Sequence, residues 1–197
     1  MREIARFVKK LRGLDHTGRW EFHPHLKYES VSQHSLWVAI FAGILAPAED
    51  RNALVFAAVT HDFEESITAD LPALVKAQTP NWHMVVEKAE AELFGGTVGA
   101  EERGIQDAFV AARYAAATSP VVKLADLFSA LMYARMEQEL GNTHFRRIEC
   151  ELIQSLVKLT KKPETNVEVG RRAILLLEAL EFDYTSGVDR PDCISHL

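Results

Sequence analysis

Apolar residues in this chain recur at intervals of three and four, and nowhere do they alternate with polar ones for long. A period near 3.6 builds one-sided helices, whereas a period of two builds half-buried strands. The chain is therefore expected to be all-α. The spacing predicts a first helix over 2–13, with Ile4, Phe7, Val8 and Leu11 on one stripe. Residues 14–29 have no regular pattern and read as a connector. A second helix follows Ser30-Val31-Ser32-Gln33, a capping box in which Ser30 and Gln33 satisfy orphan amides. From Leu36 to Ala46 this helix is apolar nearly all round, which predicts a central place in the fold, and Pro47 stops it. A third helix is predicted from near Ala48, where Glu49 and Asp50 suit the positive end of the helix dipole, to near Glu65. Later helices are predicted over about 80–94, 102–116, 119–140, 143–161 and 164–181. Gly95-Gly96 and Gly141-Asn142 break between them, and Pro120 and Pro163 sit near helix starts.

The 197 residues carry no repeat or linker and suit one domain over 1–197, with 182–197 an irregular tail. Hydrophobic residues at 48% and charged residues at 25% are globular rather than disordered composition. A net charge of −6 argues against a nucleic-acid partner, which needs a basic face, yet leaves room for a cationic pocket around a small anion. Two cysteines, Cys150 and Cys193, suggest neither a disulfide framework nor a thiolate zinc site. The amphipathic N-terminus lacks a long apolar core, and the run from Leu36 to Pro47 is too short to span a bilayer. The expectation is a cytoplasmic protein with no membrane partner.

Four residues stand out against this background. His34 lies on the apolar second helix, His61 and Asp62 at the end of the third. Asp126 sits in VVKLADLFSALMYA, where only Lys123, Asp126 and Ser129 interrupt the apolar run. A carboxylate in such a helix is costly unless it is paired, hydrogen-bonded or bound to metal. Each residue alone has a plainer explanation: a satisfied core histidine, a capping aspartate, a chance His-Asp pair. Together, two imidazoles and two carboxylates on three helices suit zinc or another divalent ion such as manganese or cobalt, with positions open for water and substrate.

The order His34, His61-Asp62, Asp126 resembles the H…HD…D signature of the HD-domain metal-dependent phosphohydrolases. Gly18-Arg19-Trp20, Glu29-Ser30-Val31-Ser32-Gln33-His34-Ser35 and the run from His61 through Glu65 to Asp70-Leu71-Pro72 look most like the bacterial 5′-deoxynucleotidases. The resemblance implies a single HD-domain helical bundle with His34, His61, Asp62 and Asp126 as metal ligands. It implies that Glu65 is a catalytic acid or base, that Arg19 orients the phosphate and that Trp20 lines the deoxyribose. It makes Asp70, Leu71, Pro72 and Ala73 a substrate-binding turn, with Asp70 near the 3′-hydroxyl and Asp62 and Asp126 also facing substrate. A homodimer or higher homo-oligomer is implied, and magnesium at a second site is a further expectation. On a helix His61 and Glu65 are four apart and share a face, consistent with an acid beside the metal rather than on it. Lys76 is expected to help hold phosphate and Phe22 to pack on the base. His23 and His25, beside Trp20, are candidates to face the pocket; His16, His83, His144 and His196 match nothing.

The expected reaction is hydrolysis of a deoxynucleoside monophosphate to deoxynucleoside and phosphate. An alternative is release of triphosphate from dATP, as in phage dATP triphosphohydrolases; Lys27, Lys76, Lys88, Arg113 and Lys123 would then extend the phosphate pocket. A second alternative, a nucleotide sensor without turnover, sits poorly with retention of all four presumed ligands and Glu65.

Overall fold

The computed structural model describes residues 2–94 and 100–184. Its helices run in the order α1 (Arg2–Leu11), α2 (Val31–Leu45), α3 (Arg51–Thr60), α4 (Glu65–Thr68), α5 (Ala73–Gln78), α6 (Trp82–Phe94), α7 (Ala100–Thr118), α8 (Pro120–Glu139), α9 (Phe145–Thr160) and α10 (Val167–Ala179). Among the described residues no strand forms; extended backbone pairs at one isolated bridge, Gly18 with Ser30.

Local chemistry explains most of the ends. The Ser30 hydroxyl accepts the Gln33 amide at 3.2 Å, and the Gln33 side chain accepts the Ser30 amide at 3.0 Å, completing the expected capping box. Ser119 caps α8 through the Val122 amide, and Pro120 occupies its first turn. α10 begins later than expected because the Asn166 side chain, not Pro163, sets its start by accepting the Glu168 amide at 2.8 Å. α3 stops at Thr60, short of Glu65. The Phe63 amide reaches the Thr60 carbonyl at 3.3 Å and the Glu65 amide reaches Asp62 at 3.1 Å, so tighter three-residue bonds replace the helix. α5 was not predicted, since six residues are too few to show a period.

α2 and α8 pack face to face, with α3 and α9 on either side and α7 against α3. Val38, Ala42 and Leu45 of α2 meet Leu124, Phe128 and Leu131 of α8, and the Phe41 and Phe128 rings stack 5.4 Å apart. Each fully buried Leu or Phe of this kind contributes about 1.5–3 kcal/mol. α2 is central, as its apolar pattern predicts, but it is not buried all round. Leu36, Trp37, Ile40 and Ile44 form an exposed stripe on its outer face. An apolar pattern shows that a helix face is to be covered, not by what.

Phe182, expected to open an irregular tail, is buried in the core with the Arg135 guanidinium 4.1 Å over its ring; residues 185–197 of that expected tail lie outside the described residues. Among the described residues no single helix is long and apolar enough to cross a membrane.

Candidate functional site

The capped start of α2 buries His34 completely, one turn in from Ser30. The tight turn after α3 carries His61 and Asp62 and hands the chain to α4, whose first residue is Glu65. α8 supplies Asp126. Its side chain keeps 43% of its surface, so it faces a cavity rather than the packed core that its apolar neighbours suggested. His34 Nε2 lies 3.1 Å from Asp126 Oδ1 and 3.8 Å from Asp62 Oδ2; His61 Nε2 lies 2.9 Å from the same Asp62 oxygen. Ligand atoms of His34, His61 and Asp126 all fall within 4.8 Å of one another.

The donor set fits a divalent ion. Both Nε2 atoms are buried and lack a hydrogen-bond partner of good geometry, although carboxylate oxygens stand close by. The other nitrogen of each ring is engaged, as it is in metal-ligating histidines. His61 Nδ1–H donates to the Ala58 carbonyl at 2.7 Å, leaving the lone pair on Nε2. His34 Nδ1 has Ser129 Oγ at 2.9 Å, the acceptor its N–H needs when Nε2 is a ligand. The donor-only Arg19 crowds the same nitrogen, so the Nδ1–H tautomer requires its guanidinium to turn to its other partners, Glu29 at 3.4 Å and Asp70 at 3.9 Å.

Charge varies steeply over this short distance. Burial, with Arg19 alongside, lowers His34 to about 4 and keeps it neutral, the form that binds metal. Burial alone would also lower His61, but the adjacent Asp62 lifts it to about 9 when no cation is present. Asp62 is held well below the carboxylate range by His61, against its own burial. Glu65, 2% exposed, is pushed up to about 9 by burial and by Asp62 and Asp70, with Lys76 at 2.6 Å only partly offsetting them.

Asp62, Glu65 and Asp126 open onto a cavity of about 360 Å³, within the range of small-molecule sites, whereas His34 and His61 are not among its lining residues. Arg19, Trp20, Phe22, Asp62, Glu65, Asp70, Leu71, Pro72, Lys76 and Asp126 all line it. Ala73 opens α5 directly after that turn. His23 lines the cavity too, whereas His25 Nδ1–H donates to the His23 carbonyl and does not. Of the basic residues expected to extend the phosphate pocket, Lys76 lines it and Lys27, Lys88, Arg113 and Lys123 do not. Arg113 is held instead by both oxygens of Glu64, at 2.9 and 3.0 Å, and by Glu90 at 2.9 Å.

Two backbone kinks aim the walls. Trp20 has φ 66°, and its ring stacks on Tyr133 at 5.2 Å with Phe145 edge-on. Ala69 has φ 60° and ψ 168°, a region that side chains rarely adopt, and it turns the chain into Asp70. Ala69→Gly is expected to stabilise the protein by about 1 kcal/mol net, because relieved strain exceeds the added chain entropy. A denaturant midpoint that does not rise would contradict this.

Sequence reasoning missed Glu29. Its buried carboxylate accepts from Trp20 Nε1 at 3.1 Å and pairs with Arg19, fixing both neighbours at once. A lone acid in an unpatterned connector gives no local sign of that role. Ser129 did carry a sign, as one of three polar breaks in an apolar helix.

A family model described as 5′-deoxynucleotidase YfbR-like matches residues 6–169. The 5′-deoxynucleotidase YfbR of Shigella flexneri is 31% identical over 153 residues, 72% of this chain and 77% of that protein. The 5′-deoxynucleotidase PM0747 of Pasteurella multocida is 27% identical over 168 residues, 79% of this chain and 86% of that protein. Among solved structures, the cyanophage S-2L HD phosphohydrolase DatZ, bound to dA and one catalytic Zn2+ ion, superposes with a TM-score of 0.60. At 17% identity over 88% of this chain and 94% of that one, this likeness is one of fold.

Proposed function

Because the chain belongs to the YfbR-like 5′-deoxynucleotidase family, we propose that it splits deoxynucleoside monophosphates at this cavity. The observation that carries the assignment is one lining: Asp62 and Asp126, which stand beside the two imidazoles, share the cavity wall with a buried acid, two cations and the flat face of Trp20. His34, His61, Asp62 and Asp126 would hold a divalent ion, with zinc, manganese and cobalt suited to imidazole and carboxylate donors. Such an ion lowers the pKa of a bound water and withdraws charge from a phosphoryl oxygen. Arg19 and Lys76 bind the remaining phosphoryl oxygens, Arg19 with its planar fork. Water adds to phosphorus and the bond to the 5′-oxygen breaks. Glu65 Oε2, unpartnered, carries the proton from the attacking water to the leaving oxygen. Among the described residues one cluster of three or more metal donors forms, so magnesium at a second site would depend on phosphate oxygens.

Two lining cations suit one phosphate better than a triphosphate. With manganese, cobalt or zinc present, free phosphate from dAMP is the expected product. Triphosphate from dATP would instead favour the alternative, and tight nucleotide binding without turnover would indicate a sensor. Trp20 crowds the position of a 2′-hydroxyl, so kcat/KM on AMP is expected to fall about tenfold or more below that on dAMP. Equal values would remove that role from Trp20.

The exposed stripe on α2 is where a second copy would pack, since large apolar patches on one helix face mark association sites. Trp37→Glu is expected to shift a dimer to monomer in light scattering; a wild-type protein already monomeric at high concentration would refute this.

A further inference from the structure

The cavity has two chemically different parts. One holds the carboxylates Asp62, Glu65, Asp70 and Asp126 with the Arg19 and Lys76 cations. The other is walled by Trp20, Phe22, Leu127, Ala130 and Leu152. Of the polar side chains lining it, His23 is the one outside the charged cluster. Its ring meets Trp20 edge-on at 5.8 Å and Phe145 at 6.2 Å, so it belongs to the apolar part. A flat uncharged ring entering there finds faces to stack on and one imidazole to address its edge.

We propose that His23 is the specificity-determining residue that contacts the nucleobase, hydrogen-bonding the base edge through Nε2 while His144 sets its tautomer through Nδ1. His23 Nδ1 lies 3.2 Å from His144 Nε2, so one ring donates to the other. If His144 donates, His23 Nε2 carries the proton and acts as donor; if His23 donates, its Nε2 is an acceptor. Whichever ring donates, the contact fixes the polarity that His23 Nε2 presents to a base edge.

The two imidazoles come from distant segments and are held in register. The His144 amide donates to Asn142 Oδ1 at 3.2 Å. Asn142 Nδ2 donates to the Pro24 carbonyl at 2.8 Å, beside His23, and to Glu137 Oε2 at 2.7 Å. Glu137, with no exposed surface, also accepts the Leu26 and Lys27 amides at 2.8 and 2.7 Å. One buried carboxylate therefore clasps the connector that bears His23 and, through Asn142, the turn that bears His144. None of these groups belongs to the metal cluster.

The inference rests on the deoxynucleotidase reading, and the test separates the two. Wild type, His23→Phe and His144→Ala are assayed with metal on dAMP, dGMP, dCMP and dTMP, and on 2-deoxyribose 5-phosphate, which has no base, as substrate or competitor. Phenylalanine preserves the ring contact with Trp20. His23→Phe is expected to raise KM about three- to tenfold for at least one nucleotide, the worth of one hydrogen bond, with kcat within about twofold. The constant for 2-deoxyribose 5-phosphate should not move, and His144→Ala should shift the same nucleotide in the same direction. Equal shifts on all five compounds, or no shift, would overturn the proposal and leave the activity standing. A wild-type protein that turns over no deoxynucleotide would remove both.

Discussion

His61→Ala is expected to purify without a stoichiometric divalent ion and to hydrolyse dAMP at least about 1,000-fold more slowly than wild type. The magnitude follows from removing a group worth several kcal/mol of charge stabilisation, at about 1.4 kcal/mol per factor of ten. The loss should be specific because the ring is already set as a ligand: its Nδ1–H is committed to Ala58, and its Nε2 is buried beside Asp62 without a well-formed hydrogen bond. Asp126→Ala should behave alike, since its carboxylate stands 3.1 Å from His34 Nε2 on a different helix. Elemental analysis and phosphate release measured on the same samples check both parts. A metal-free His61→Ala protein with full activity would sink the site. The metal-free wild type should also show a pH signature. The His61–Asp62 pair raises the imidazole to about 9, so its stabilisation is complete below the ordinary value of 6.5 and fades as pH rises through 9. Stability of metal-free wild type should therefore fall between pH 6.5 and about 9.5, and His61→Ala should flatten that slope.

Glu65→Gln is expected to keep its metal and lose about 100- to 10,000-fold in kcat, the range for a positioned acid or base. Glutamine keeps the shape and can still accept from Lys76, whose Nζ sits 2.6 Å from Glu65 Oε1. What it cannot do is take up and return a proton at Oε2. Glu65 is suited to that task because burial and the neighbouring carboxylates push it up to about 9, so it is not locked as a carboxylate near neutral pH. Metal loss in Glu65→Gln as complete as in His61→Ala would recast Glu65 as a ligand, and an unchanged kcat would exclude it from proton transfer.

How much of this was legible depended on range along the chain. The Ser30–Gln33 capping box spans three residues and was read from sequence as it stands in the fold. The clustering of chemistry-bearing residues was legible because His34, His61-Asp62 and Asp126 interrupt apolar helices, where polar groups need a reason. The turn between α3 and α4 was not legible, since helical spacing continues through His61 and Glu65 while the backbone bonds tighten. Glu29 and Glu137 escaped for a different reason. Glu29 works on residues about ten positions earlier, and Glu137 on amides 110 and 111 positions away. Nothing local to either residue carries that information. The central place of α2 was legible, but its exposed outer stripe was not, because a pattern of apolar residues is the same whether the covering surface belongs to this chain or another.

Asp126, Ala130, Tyr133 and Glu137 follow one another along a single side of α8, the first beside the imidazoles, the last clasping the connector. That row measures about 16 Å at 1.5 Å per residue, and it is a stiff rod. It works as a gauge block: the distance from the imidazoles to the clasped connector cannot be adjusted gradually. Inserting one residue would swing everything beyond it through about 100°. Evolution of new substrates on this scaffold must therefore change what is attached to the rod, not its length.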